Sequence, residues 1–239
     1  MFAADFPDTV YAIQHMAFED LGTWEDALYS IGLRVRYVEA GVEDLTRALN
    51  HKGLTIILNG PLSVHDQESY PFLKDEMKLL EQRITQGLPT IGIGLGAALI
   101  AASLGAQVKS VEKPLIGWST LQVKDSVSDL LTGLDNNAVL HAQLDEFNLP
   151  QGATALADTE LSKSSAFSYG KHVLALAFHI EMSSEHIEKW LIGHRFALAQ
   201  LGLDITSLRH AHQKFIPHLE SISPQVLVKF LKQFDSSVV

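Results

Sequence analysis

The chain has 239 residues, 46% hydrophobic and 19% charged, with 18 Lys and Arg against 28 Asp and Glu for a formal net charge of −10. That balance suits a buried core rather than a disordered chain, and the acidic surplus argues against sequence-independent binding to nucleic acid. The absence of cysteine excludes disulfides, thiolate metal sites and any cysteine nucleophile.

From the N-terminus, Met1 to Thr9 carries Asp5 and Asp8 and lacks the basic start and apolar run of a secretory leader. The longest apolar stretch, Leu88 to Leu104, is broken by glycines and falls short of a membrane span. A cytoplasmic protein without membrane association is expected. Val10–Ile13, Arg34–Val38, Leu54–Leu58 and Pro89–Ile93 read as strands buried on both faces. Between them, Thr23–Ile31, Val42–Asn50 and Phe72–Gln86 show helical spacing of apolar positions. Strands separated by helices of this length imply a parallel sheet with right-handed crossovers.

After Val108 the rhythm changes. Gly117–Lys124, Ala138–Phe147, Thr154–Asp158, Ser165–Tyr169 and His172–His179 are strand candidates with little helix between them, which predicts a small antiparallel layer. The last sixty or so residues return to helix, with Ser183–Leu201 as the longest periodic run and Ser223–Phe234 as the last. Ser183 and Ser184 before Glu185 and His186 look like a capped first turn. No repeat or linker divides the chain, so one domain over residues 1–239 is expected.

The most informative stretch is Pro89-Thr-Ile-Gly-Ile-Gly-Leu-Gly-Ala-Ala-Leu-Ile-Ala-Ala-Ser-Leu-Gly105. An apolar strand runs into Gly94 and a small-residue helix leaves from Leu95. Such a junction lifts one residue above the carboxyl edge of a sheet, as in a nucleophile elbow. Taken alone it fits a phosphate-binding turn or a plain tight junction equally well.

Four further segments change that weighting. They are Leu58-Asn-Gly-Pro-Leu-Ser-Val-His-Asp66, Tyr70-Pro-Phe-Leu73, Ile116-Gly-Trp118 and Ala177-Phe-His-Ile-Glu181. In this order, with the elbow, they resemble the class I glutamine amidotransferase domain in the branch related to GMP synthase. The resemblance runs from about residue 10 to about residue 190, leaving a C-terminal helical extension over about 202–239. It implies an α/β, flavodoxin-like fold, a mostly parallel sheet flanked by helices with a small antiparallel layer.

The family hydrolyses the side-chain amide of glutamine through a cysteine thioester, with a histidine as proton carrier and a glutamate that orients it. The resemblance assigns these two roles to His179 and Glu181, which strand alternation puts on one face. It assigns the oxyanion hole to the backbone N–H groups of Gly60 and Leu95, with Asn59 replacing the family's first loop glycine as a mild departure. The nucleophile position falls on Gly94, which has no side chain to form a thioester. Glycine accepts a strained elbow backbone at little cost. Neither Ser63 nor Ser103 has the spacing to substitute for the missing thiol.

Around the glutamine pocket, Ala98 stands for a family glutamine. In His141-Ala-Gln-Leu-Asp145, Gln143 stands for a histidine while Asp145 remains. The expected protein is therefore a degenerate relative, a binding or regulatory pseudoenzyme that engages a small molecule, glutamine-like or other, or a protein partner. The alternative is a hydrolase or transferase of altered chemistry in which His179 acts as general base on water beside the retained oxyanion hole. What fills the space above Gly94 discriminates the two: side chains leave only the first, a water-filled or ligand-filled cavity keeps the second. No cofactor and no metal is expected, since His210-Ala-His212, with His194 and His218, lacks a ligand set at metal-site spacing and reads as a solvated helix face.

Overall fold

The computed structural model describes residues 6–124 and 129–234. Ten strands and eight α-helices follow one another. The first half is the expected alternation: β1 (Thr9–Gln14), α1 (Thr23–Ser30), β2 (Arg34–Glu39), α2 (Thr46–Leu49), β3 (Thr55–Ile57), α3 (Phe72–Thr85), β4 (Thr90–Ile93) and α4 (Leu95–Ser103). Then come β5 (Val108–Thr120), β6 (Gln122–Val123), β7 (Ala138–Phe147), β8 (Thr154–Asp158), β9 (Ala166–Tyr169) and β10 (Val173–Leu176). Four helices end the chain: α5 (Ile187–Gly193), α6 (Arg195–Gln200), α7 (Ile205–Ile222) and α8 (Pro224–Lys232).

An eight-stranded sheet has the order β2-β1-β3-β4-β10-β9-β8-β6. Pairing is parallel from β2 through β10 and antiparallel from there to β6. Apolar side chains alternate between its two faces. Val10, Ala12 and Ile56 pack with Trp24, Leu28 and Phe230 on one side, whereas Tyr11, Ile13 and Ile57 pack with Leu73, Leu80 and Leu99 on the other. Helices on both faces are what a parallel sheet needs to cover its strands. The second sheet is the antiparallel ribbon β5-β7. It is tied back to the main sheet by one bridge, in which the His179 N–H donates to the Leu140 carbonyl at 2.8 Å.

Several expectations shift. β2 is an edge strand with Arg34, Arg36 and Glu39 exposed, so it is not buried on both faces. The helix expected over Val42–Asn50 contracts to the single turn of α2, and the strand expected from Gly117 starts at Val108 and breaks at Leu121. β10 stops at Leu176, leaving His179 beyond the strand end in its isolated bridge to Leu140. Ser183–Leu201 is not one helix, because the chain bends at His194, whose ring turns inward to Glu19. Ser184 does not cap α5; its N–H and hydroxyl reach the Glu220 carboxylate on α7 at 2.6 and 2.7 Å. The longest helix is α7, which contains Pro217 and buries His212. The expectation of a solvated histidine face therefore fails at His212, whose ring packs edge-on to Trp118.

Among the described residues no helix is long and apolar enough to cross a membrane.

Candidate functional site

The carboxyl ends of β3, β4 and β10 meet at one edge of the sheet, where open α/β folds place their ligands. Gly94 sits there with φ 56° and ψ −113°, a conformation that residues bearing a Cβ rarely adopt. Its N–H donates to the Leu176 carbonyl at 2.8 Å, so the elbow is fixed to the end of β10. Behind it α4 lies close against the sheet: a Cβ at Gly96 would come within 2.1 Å of the Ile57 carbonyl oxygen.

The space above Gly94 belongs to Asn59. A Cβ added at residue 94 would lie 2.3 Å from Asn59 Oδ1, 2.5 Å from its Cγ and 2.9 Å from its Cβ. Asn59 is 2% exposed, and its carboxamide is held at both ends. Oδ1 accepts from the Leu95 N–H at 2.9 Å. Nδ2 donates to Glu19 Oε1 at 3.0 Å and to the Ala142 carbonyl at 3.2 Å, and it lies 3.3 Å from His179 Nε2.

His179 and Glu181 are both buried, with Nδ1 2.6 Å from Glu181 Oε1. The other Glu181 oxygen accepts from the Ile180 N–H at 2.9 Å. The Glu181 carbonyl accepts from the N–H and the hydroxyl of Thr23 at the start of α1. Burial opposes a charge on the imidazole, but the Glu181 carboxylate against it, with Glu19 beyond, raises its pKa to about 9. Across the bridge, His141 is buried without such a partner. Burial first, and then the charge of His179, pulls its pKa down to about 4.

The remaining sequence-picked residues gather as well. Gly60, Gly94, Leu95, Ala98, Gln143 and Asp145 line one cavity together with Asn59, and its volume is only about 10 Å³. That is the room of a single water, not of an amino acid. Asp145 is fully engaged in holding the loop after β3, since it accepts from the Ser63 hydroxyl, the Val64 N–H and the Ser110 hydroxyl at 2.7, 2.8 and 3.1 Å. Gln143 is 5% exposed, and neither of its amide atoms makes a hydrogen bond of normal geometry.

Sequence reasoning missed Glu19 and set His194 on a solvated histidine face, whereas His194 is buried with its Nε2 2.7 Å from Glu19 Oε1. It also missed the pair His15 and Glu76, which lies beside Gly60 at 3.1 Å with both side chains fully buried. Asn59 itself was visible only as a mild loop change. Among the described residues no group of three or more His, Asp or Glu is arranged to hold a metal ion.

Comparison with known proteins agrees with this geometry. The family model for glutamine amidotransferase class I matches residues 23–198. A glutamine amidotransferase-like protein of Acanthamoeba polyphaga mimivirus is 28% identical over 149 residues, covering 62% of this chain and 67% of that protein. The GMP synthase of Campylobacter fetus is 33% identical over 140 residues, 57% of this chain, and the match spans 26% of that enzyme's length. The crystal structure of a glutamine amidotransferase from Thermotoga maritima superposes with a TM-score of 0.85 at 28% identity. It covers 94% of this chain and 98% of that one, so the structural likeness extends past residue 198 into the C-terminal helices. Fold, motif order and family model converge: the chain belongs to the class I glutamine amidotransferase family.

Proposed function

We propose that this protein is a member of the family without thioester chemistry, a pseudoenzyme whose role is binding or regulation. The observation that carries the reading is the Asn59 carboxamide lodged over Gly94, hydrogen-bonded to the Leu95 N–H. In this reading Gly94 marks the nucleophile position with its side chain lost. His179 and Glu181 are the inherited dyad, Gly60 and Leu95 the inherited oxyanion donors, and Ala98, Gln143 and Asp145 the remnant of the substrate pocket. The absence of any cysteine removes a thiol from elsewhere in the chain as a substitute.

A water-activating role for His179 needs space at Nε2 for a water and a substrate. An amide nitrogen at 3.3 Å from that atom and a cavity of about 10 Å³ weigh against it. The protein's ligand is then a partner protein, or a small molecule bound outside the closed cavity. GMP synthases carry a similar segment within a chain about four times as long as the matched stretch, and a separate synthase-type partner is consistent with that arrangement.

Ammonia release from glutamine at saturating concentration tests the reading. The expected outcome is no activity above background. Turnover that His179→Ala abolishes would overturn it.

A further inference from the structure

We propose that the Asn59 side chain is an internal ligand in a carboxamide-binding site, and that removing it opens that site to small primary amides from solution. The argument deepens the reading above but stands on contacts alone. A primary carboxamide offers an oxygen that accepts and an NH₂ that donates twice. The groups around Asn59 are the complement of this. The Leu95 N–H, at the N-terminus of the nine-residue helix α4, donates to the oxygen. The Glu19 carboxylate and the Ala142 carbonyl accept from the nitrogen.

Three of the four contacts favour this orientation, and only His179 Nε2, 3.3 Å from the nitrogen, would favour the reverse. A flipped amide would set its oxygen against Glu19 and the Ala142 carbonyl, and its NH₂ against the Leu95 N–H. The same oxygen, Glu19 Oε1, is also held by His194 Nε2 at 2.7 Å. The cradle is thus assembled from the loop after β1, the start of α4, β7 and the α5–α6 bend, and it does not depend on Asn59 for its form. At Glu19 and the Ala142 carbonyl the same polarity opposes a carboxylate, which brings like charge to the first and no hydrogens to the second, and this outweighs the single favourable contact at His179 Nε2.

Asn59→Gly deletes the side chain and leaves glycine on both sides of the space, at residues 59 and 94, adjoining the existing cavity. Acetamide is the asparagine side chain with a hydrogen in place of the bond to Cα, so it is the probe. The expected result is that the variant has a lower Tm than the wild type, and that acetamide at 100 mM raises the variant's Tm by about 3–6 °C, the shift for a ligand roughly ten times above its Kd in a chain of this size. Wild-type Tm should not respond, and acetate at the same concentration and pH should shift neither protein. Saturation-transfer NMR on the variant should show acetamide bound and acetate not.

A folded variant indifferent to acetamide, or one that responds equally to acetate, overturns the proposal. Should Asn59→Gly fail to fold, Asn59→Ala with formamide repeats the test in a smaller space. The wild type supplies an independent measurement: the Leu95 N–H and both Asn59 side-chain NH₂ protons should be strongly protected from hydrogen exchange, and rapid exchange there overturns the proposal too. Ammonia release plays no part in these readouts. A wild type that hydrolysed glutamine would sink the inert reading, whereas loss of acetamide rescue would sink this one.

Discussion

Restoring a thiol at residue 94 requires that residue 59 give way. In Gly94→Cys the new Cβ would lie 2.3 Å from Asn59 Oδ1 and 2.9 Å from its Cβ, distances at which one of the two side chains must move. Overpacking of this kind costs about 1–3 kcal/mol. Placing a residue with a Cβ at φ 56° and ψ −113° adds strain of about 1–3 kcal/mol. Asn59→Gly alone relieves no strain. It removes a hydrogen bond to the buried Glu19 carboxylate, a kind of bond that contributes about 1.5–3 kcal/mol, and leaves the Leu95 N–H without its acceptor. In the double variant the backbone strain and the lost hydrogen bonds remain, but the clash is gone.

The pair should therefore be more stable than the sum of the two single changes by about 1–3 kcal/mol, the overpacking contribution alone. Urea denaturation of the four proteins measures this coupling. Additivity within about 0.5 kcal/mol would refute the claim that the two residues compete for one space. Because the chain has no other cysteine, the thiolate absorbance of the double variant reports residue 94 alone. Its pKa should fall below the ordinary value of about 8.5, since the thiol stands at a helix N-terminus close to the His179 ring.

Two further outcomes follow from buried charges. The His179 pKa is raised from 6.5 to about 9, with burial opposing the shift and Glu181 and Glu19 producing it. Its contribution to stability is thus complete below about pH 6.5 and is lost as the pH rises through about 9. The urea midpoint of the wild type should fall over that window more steeply than that of His179→Gln, and parallel profiles would refute the assignment. Arg83, fully buried, has no carboxylate partner among the described residues; its guanidinium reaches Thr90 Oγ1 and the carbonyls of Leu49, His51, Gly53 and Pro89 at 2.6–3.1 Å. Arg83→Met should destabilise by more than about 3 kcal/mol, because several buried carbonyls lose their donor at once; a loss under about 1 kcal/mol would show that they find other partners.

The parts of this molecule that could be read from sequence are those whose cause is local. β1, β3 and β4 are short apolar runs between turn residues, and the junction at Gly94 announces itself by glycine at a strand end before a run of small residues. His179 and Glu181 lie two residues apart, a spacing that pairs them even though β10 ends before both. What could not be read depends on distant partners. Ser183–Leu201 has one helical period, yet the helix bends at His194 because Glu19, 175 residues away, draws the ring inward. In the same way Ser184 carries a capping signal that Glu220 takes over from across the helical layer. Asp145, expected to face a ligand, is drawn to Ser63, Val64 and Ser110, two of which lie 82 and 81 residues earlier in the chain.

Asn59 shows why a substitution that looks mild in one segment can define a site. Considered alone, an asparagine in place of the family's loop glycine changes little. Its meaning comes from residue 94, 35 positions on, where a side chain is absent. With glycine at both positions, the Leu95 N–H and the Glu19 carboxylate would face an unfilled space. Leaving the Leu95 N–H buried and unpaired costs about 1–3 kcal/mol, and Glu19 Oε1 would keep His194 as partner but lose the amide. Asparagine is the residue whose short side chain ends in an acceptor and a donor set in one plane, so it meets the N–H with one end and the carboxylate with the other. Aspartate would bring a second negative charge to Glu19, and leucine would fill the volume while leaving the Leu95 N–H unpaired and Glu19 with His194 alone. An asparagine at residue 59 thus satisfies the polar groups on both sides of the space over Gly94.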